Sequence, residues 1–233
     1  DGLIFIAKNT HIITEKHKKQ DSEDTTIGTT RSGNGPAYRD KYSRDGIRAS
    51  TIPVLKDYMI DMYEELHSGK RTNILFEGAQ GFGLDIDWGD YPYVTSSHCT
   101  SGAALLNGVP PQAIKKVWGV AKMYETYVGA KKFEPDNEIF SLIRNLGQEY
   151  GATTGRPRQC NWMNWDLVDK AININGVTDL VFNKVDILDQ VGRYKLYHKG
   201  ELIKFENCEQ MKGWINEAVA TRFVNVYFSG DKD

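Results

Sequence analysis

The 233 residues carry 40% apolar and 26% charged side chains and a formal net charge of −2. That balance is ordinary for a globular chain and argues against a protein whose main work is gripping duplex nucleic acid or an anionic membrane surface. No run approaches the roughly 18 apolar residues of a spanning helix, no signal peptide is visible, and the length suits one large α/β domain or two small ones.

The chain starts at Asp1 without an initiator methionine and runs directly into an apolar strand pattern at Leu3–Ala7, so it is read as part of a longer natural chain. Lys8–Asp24 is strongly charged and is expected to form a helix and loop at the surface. Ile27–Arg48 then combines Gly28-Thr29-Thr30 and Gly33-Asn34-Gly35-Pro36 with Arg31, Arg39, Lys41, Arg44 and Arg48. Backbone N–H groups and hydroxyls in a flexible loop can cradle a phosphate, and arginine can grip one bidentately. A surface loop followed by a charged helix would read the same way. Ile52, Leu55, Tyr58, Met59, Met62, Tyr63 and Leu66 recur near helical period, which predicts a scaffold helix over Ile52–His67 that stops at Gly69.

Asn73–Ser97, NILFEGAQGFGLDIDWGDYPYVTSS, is the longest stretch that reads as a site. Ile74-Leu75-Phe76 suits a buried strand, and it empties into a turn punctuated by Gly78, Gly81 and Gly83 around one polar amide, Gln80. Open α/β sheets bind ligands at such strand ends, where glycine admits positive φ and close approach. Asp85, Asp87, Asp90 and the hydroxyls of Thr95-Ser96-Ser97 follow; a connection with solvated acids is the plain alternative.

Further on, a short helix is expected at Ser101–Asn107, a strand at Lys116–Lys122, a loop at Thr126–Lys132 and a helix at Asn137–Leu146. Tyr150–Cys160, YGATTGRPRQC, is a donor-rich loop broken by Pro157. Its guanidinium forks and threonine hydroxyls suit a small carboxylate or dianionic ligand. A helix is expected over Trp162–Ile174. Asp179–Asp186, DLVFNKVD, is a strand running into Asn-Lys-Val-Asp, whose carboxylate can accept both hydrogen bonds from a guanine N1–H and 2-amino group. A hairpin of Arg193–Tyr197 with Glu201–Phe205, a helix at Glu209–Phe223 and a strand at Val224–Phe228 complete the chain. Ser229-Gly230 at its end could close over the same base. Cys99, Cys160 and Cys208 are odd in number and widely spaced, which fits reduced cytosolic thiols better than a disulfide framework or a zinc site.

Four of these stretches, in this order, resemble the adenylosuccinate synthetase family: GTTRSGNGPAY at Gly28–Tyr38, FEGAQGFGLDIDWGDYPYVTSS at Phe76–Ser97, GATTGRPR at Gly151–Arg158 and NKVDILD at Asn183–Asp189. The resemblance implies a P-loop-NTPase-like α/β fold with a mostly parallel central sheet flanked by helices, as a single domain over 1–233. It implies a cytoplasmic carbon–nitrogen ligase (host cytoplasm if viral) that joins L-aspartate to C6 of IMP, or of dGMP in the viral type, through a 6-phosphoryl intermediate driven by GTP or ATP. Thr30, Arg44, Gln80, Thr95 and Arg156 would bind the purine nucleotide, with Gln80 as the catalytic group beside O6. Thr153, Thr154, Arg156 and Arg158 would bind aspartate, and Arg158, Lys184, Asp186, Ser229 and Gly230 the triphosphate. Arg44 would reach the nucleotide of a neighbouring subunit in a homodimer.

The family's N-terminal phosphate loop and catalytic histidine have no counterpart here, so the ligands of its Mg²⁺ are expected in a preceding part and none in this chain. Arg31-Ser32-Gly33-Asn34, Trp88, His98-Cys99, Asn161, Asn164 and the tip Ser229–Asp233 also depart from the usual pattern. Short connections after Arg48 and Asp189 resemble the compact archaeal form and its viral relative, 2-aminodeoxyadenylosuccinate synthetase. A guanine-nucleotide switch without ligase chemistry would use the NKVD segment but leave GATTGRPR unexplained.

Overall fold

The structure, a computed structural model, describes residues 3–69, 73–152 and 154–230. The chain divides into two compact units, Asp1–Ile114 and Lys115–Asp233. Among the described residues no helix is long and apolar enough to cross a membrane.

The first unit contains β1 (Ile6–Ala7), α1 (Glu15–Glu23), α2 (Asn34–Ser43), β2 (Met59–Ile60), α3 (Met62–His67) and α4 (Gly102–Leu106). Among the described residues its buried groups are small or polar: Ala37, Ala49 and Ala104 beside His17, Asp21 and Asp85. Hydrogen bonding therefore carries much of its order. Thr14 caps α1 by accepting from the His17 N–H, while His17 Nδ1 accepts from the Thr14 N–H at 3.1 Å. That leaves Nε2 as the protonated nitrogen, and it donates to Asp40 on α2 at 3.1 Å.

Three expectations fail in this unit. The helix over Ile52–His67 is instead a 3₁₀ run at Pro53–Tyr58, the strand β2 and the short helix α3. Met59 and Ile60 pair in parallel with Ile6 and Ala7, and Asp61 accepts from the Tyr63 N–H at 3.0 Å to start a new helix. Leu3–Ala7 is a strand only at Ile6–Ala7, and Leu3, Ile4 and Phe5 are exposed. Ile74-Leu75-Phe76 is neither strand nor buried. Apolar content specifies a strand only where a partner edge exists to pair with.

The second unit holds β3 (Trp118–Lys122), β4 (Tyr124–Tyr127), α5 (Glu138–Gly147), β5 (Gln159–Asn164), α6 (Trp165–Asn175), β6 (Asp179–Asn183), α7 (Val185–Val191), β7 (Tyr194–His198), β8 (Glu201–Phe205), α8 (Cys208–Val219) and β9 (Asn225–Phe228). β3-β6-β9 form a parallel sheet, and β4-β5-β7-β8 a mixed one that ends in the β7–β8 hairpin. The α/β class with parallel strands flanked by helices is thus present, with its parallel character concentrated in β3-β6-β9. Alternation turns Leu180 and Phe182 of β6 and Phe228 of β9 into an apolar core, where the Phe182 and Phe228 rings stack at 5.7 Å. Phe140 from α5 packs edge-on to Trp162 of β5 at 5.2 Å. The helix expected from Trp162 starts at Trp165, because 162–164 complete β5 and Asn164 caps α6 by accepting from the Asp166 N–H at 3.0 Å.

Candidate functional site

In the first unit, the Gly28–Gly35 loop is tied to α1 through a buried acid. Asp21 accepts from the Gly33 N–H at 2.8 Å, and the Thr29 hydroxyl donates to the Asp21 carbonyl at 3.4 Å. Gly33 has φ +83, and a Cβ there would stand 2.8 Å from Ile13 Cγ2, so both conformation and space call for glycine. A Cβ at Gly35 would lie 3.2 Å from Ser96 Oγ, which places the start of α2 against the Ser96 hydroxyl. Two stretches far apart in sequence therefore meet where a helix N-terminus favours anions. Thr30 is exposed, and its hydroxyl shares a hydrogen bond with Ser32 at 2.9 Å. Arg44 ends α2 in a left-handed conformation, φ 71, and is exposed.

Gln80 is also left-handed, φ 70, and exposed within its glycine turn. Just beyond it, Asp85 is fully buried and organises the segment: its carboxylate accepts from the N–H groups of Asp87 at 2.9 Å, Trp88 at 3.1 Å and Cys99 at 2.6 Å. Burial alone would raise its pKa. The three N–H donors and the nearby His98 outweigh it and hold the carboxyl below its usual range. The loop ends are joined by Thr95 N–H to Leu84 O at 2.8 Å and Ile86 N–H to Ser97 O at 3.2 Å.

Asp85, Asp87 and His98 bring ligand atoms within 4.8 Å of one another. The set does not suit Mg²⁺, which wants a near-octahedral shell of oxygens, because one donor is an imidazole and the Asp85 oxygens already serve backbone N–H groups.

In the second unit, β6 and β9 run parallel and their C-terminal ends supply adjacent loops. Lys184 takes a left-handed conformation, φ 64, at the start of α7, and Asp186 lies in the first turn. Ser229 is drawn in through its N–H to Phe182 O at 2.8 Å, and the Val185 N–H donates to Ser229 O at 3.3 Å. A Cβ at Gly230 would be 3.0 Å from the Asp186 nitrogen, so Gly230 packs directly on Asp186. Asp186, Ser229 and Gly230 thus share one place. Lys184 points elsewhere, its amine donating to the Gly147 carbonyl at 3.1 Å.

The Tyr150–Arg158 loop is pinched by Gly151 N–H to Arg156 O at 2.9 Å and Arg158 N–H to Glu149 O at 2.9 Å. Thr154 accepts from the Arg156 N–H at 3.4 Å. Thr153 lies outside the described residues. Sequence reasoning missed the group that anchors this loop, Glu149. Only 2% exposed, it accepts from Lys122 Nζ at 2.7 Å, the Tyr124 hydroxyl at 2.7 Å and Arg158 Nη1 at 2.8 Å. Its one readable trace is its place beside the glycine–threonine–arginine run.

Glu125 on β4 is a second hidden acid. Burial pushes its pKa from 4.5 up to about 7, against the Asn164 N–H that donates to it at 3.2 Å and the Lys131 charge. Between those two values the folded carboxyl keeps a proton the unfolded chain has released, so stability falls as pH rises through that window. Glu125→Gln should therefore raise the melting temperature more at pH 8 than at pH 5. An equal change at both, read by calorimetry, would place the charged carboxylate in water.

A parallel sheet whose strand ends open into loops packed on one another defines an α/β protein of the class that takes ligands at such ends. More particularly, the chain belongs to the adenylosuccinate synthetase family, whose model matches residues 1–54 and 50–212. It is 35% identical to the adenylosuccinate synthetase of Syntrophomonas wolfei, over 90% of this chain and 65% of that protein. With the Acetivibrio thermocellus enzyme it shares 36% identity, over 83% of this chain and 58% of that protein. The chain therefore spans somewhat under two thirds of the length of these relatives. A fully ligated adenylosuccinate synthetase from Plasmodium falciparum superposes with a TM-score of 0.77 at 28% identity, covering 88% of this chain and 64% of that one. Cyanophage S-2L succinoaminodeoxyadenylate synthetase, bound to dGMP and dATP, shares the fold with a TM-score of 0.65 at 21% identity, covering 91% and 72%. The family match falls into two parts that meet at residues 50–54, just after Arg48, and ends at 212, short of Ser229 and Gly230.

Proposed function

We propose that this chain carries the machinery that joins L-aspartate to C6 of a 6-oxopurine nucleotide, IMP or dGMP, at the expense of GTP or ATP. The observation that carries the reading is family membership, with the GATTGRPR segment present before β5 and the NKVD segment at the junction of β6 and α7.

The chemistry follows from the substrate. O6 of the purine is an amide-type oxygen and a poor leaving group. Transfer of the γ-phosphoryl group to O6 releases the nucleoside diphosphate. The aspartate amine then adds at C6, loses a proton and expels inorganic phosphate, giving the N6-succinyl nucleotide. Negative charge develops on O6, and Gln80 is assigned to hydrogen-bond there. Thr30 and Thr95 bind the purine nucleotide. Thr153, Thr154, Arg156 and Arg158 take the aspartate carboxylates, and Arg158, Lys184, Asp186, Ser229 and Gly230 take the triphosphate. Arg44, exposed at the end of α2, reaches the nucleotide of a second copy in a homodimer. The Asp85, Asp87 and His98 cluster does not fit the Mg²⁺ that the reaction would use.

The direct test incubates the full-length protein with aspartate, Mg²⁺, GTP or ATP, and IMP or dGMP, and follows the succinyl product by mass spectrometry. Product with one nucleotide and one donor identifies both; no product in any combination overturns the reading. GTP binding indifferent to purine nucleotide and aspartate would mark a switch module instead. Within the ligase reading, Arg156→Leu should raise the aspartate KM about 10- to 100-fold, the worth of one charge-assisted hydrogen bond. Triphosphate binding should hardly change. An equal loss of both would make Arg156 structural.

A further inference from the structure

We propose that Glu149 is a positioning residue that clamps Arg158 and Lys122 together as one site for an anionic oxygen of the ligand. The assignment of that anion to aspartate or triphosphate rests on the ligase reading above; the clamp itself does not.

Glu149 sits just past the end of α5, and Arg158 grips it twice. The guanidinium meets carboxylate Oε2 at 2.8 Å, and the backbone N–H meets the Glu149 carbonyl at 2.9 Å. Lys122, from the end of β3, reaches the same Oε2 at 2.7 Å and also donates to Thr126 Oγ1 at 3.1 Å. The Tyr124 hydroxyl fills Oε1 at 2.7 Å. The Glu149 N–H bonds Arg144 O at 2.9 Å, so the carboxylate hangs from a fixed backbone.

With Asp186, whose charge reaches Tyr124, counted beside Glu149, two carboxylates stand against three cations, Lys122, Arg158 and Lys184, an excess of one positive charge. One carboxylate that is 2% exposed serves two cations whose side chains keep 22% and 31% of their surface in solvent. A third cation, Lys184, is held on the carbonyl of Gly147, two residues from Glu149. A structural ion pair needs only one cation, and a second one crowded onto the same carboxylate adds repulsion. The surplus keeps partial access to solvent through Lys122 and Arg158, where an incoming carboxylate or phosphate would neutralise it. Gly147 fits the same plan: a Cβ there would stand 2.3 Å from the Tyr124 hydroxyl and displace it from Glu149.

The test compares Glu149→Gln, Arg158→Leu and the double variant in the full-length protein. Glu149→Gln should raise the KM for aspartate or triphosphate about tenfold, while the KM for the purine nucleotide stays within about twofold. Because Glu149 acts through Arg158, adding Glu149→Gln to Arg158→Leu should cost little more. Effects that simply multiply, or an equal rise in all three KM values, would overturn the proposal. Hydrogen exchange gives a readout independent of turnover. The Gly151 and Arg158 amides should exchange about tenfold faster in Glu149→Gln, with the Val181 and Phe182 amides of β6 unchanged. Unchanged exchange in the loop would sink the clamp even in an active enzyme. If the wild type makes no succinyl product, the ligase reading fails and exchange alone decides the clamp. Should Glu149→Gln not fold, Glu149→Asp makes the same comparison, its charge kept but its reach too short for all three partners.

Discussion

Asp85→Ala should cost about 3–5 kcal/mol of stability, the expected result of orphaning several buried donors at once. The carboxylate is fully buried and serves the N–H groups of Asp87, Trp88 and Cys99, and alanine can accept from none of them. Asp85→Asn keeps one acceptor oxygen but turns an NH₂ toward donors, so it should fall between. Since the folded pKa is depressed, the Asp85 contribution is complete above the unfolded value of about 3.9 and is lost as pH falls through the lower folded value. The wild type should therefore lose stability in acid, below about pH 4, more steeply than Asp85→Ala. Urea midpoints across pH measure this. A loss under about 1 kcal/mol, or parallel pH profiles, would mean the three N–H groups find water instead. The same variant should loosen Gln80 and Thr95, because the Thr95 N–H to Leu84 O and Ile86 N–H to Ser97 O bonds hang on the segment that Asp85 fixes.

The letters revealed the second unit far better than the first, and the difference is physical. Asn137–Leu146, Asp179–Asn183 and the 193–205 hairpin each show one clean period and are stabilised by faces packed into a large apolar core. Ile52–Leu66 shows a helical period too, yet Met59 and Ile60 pair with Ile6 and Ala7, a partner more than fifty residues away that no local window contains. The GATTGRPR and NKVD segments were legible because loops at strand ends need particular residue types. Glu149 was not, because its meaning lies in Lys122 and Tyr124, 27 and 25 residues upstream. Asp85 looked like one of three solvated acids until its backbone donors were placed around it.

Asp186→Asn should redirect the triphosphate choice rather than abolish binding. In the proposed role the carboxylate accepts from both the N1–H and the 2-amino group of guanine, two charge-assisted bonds worth about 1.5–3 kcal/mol each. Asparagine keeps one acceptor and presents an NH₂ where guanine presents its own, so GTP use should fall about 10²- to 10³-fold. A base with a carbonyl at C2 matches that NH₂, so xanthosine triphosphate should gain what GTP loses. The fold should tolerate the change, since Gly230 packs on the backbone nitrogen and Cβ of Asp186, which the substitution leaves in place. Measured as kcat/KM for GTP, ATP and xanthosine triphosphate with the purine nucleotide and aspartate saturating, the switch has one clear failure. If the ratio of GTP to xanthosine triphosphate use does not move, the base is read elsewhere and ATP becomes the donor to pursue.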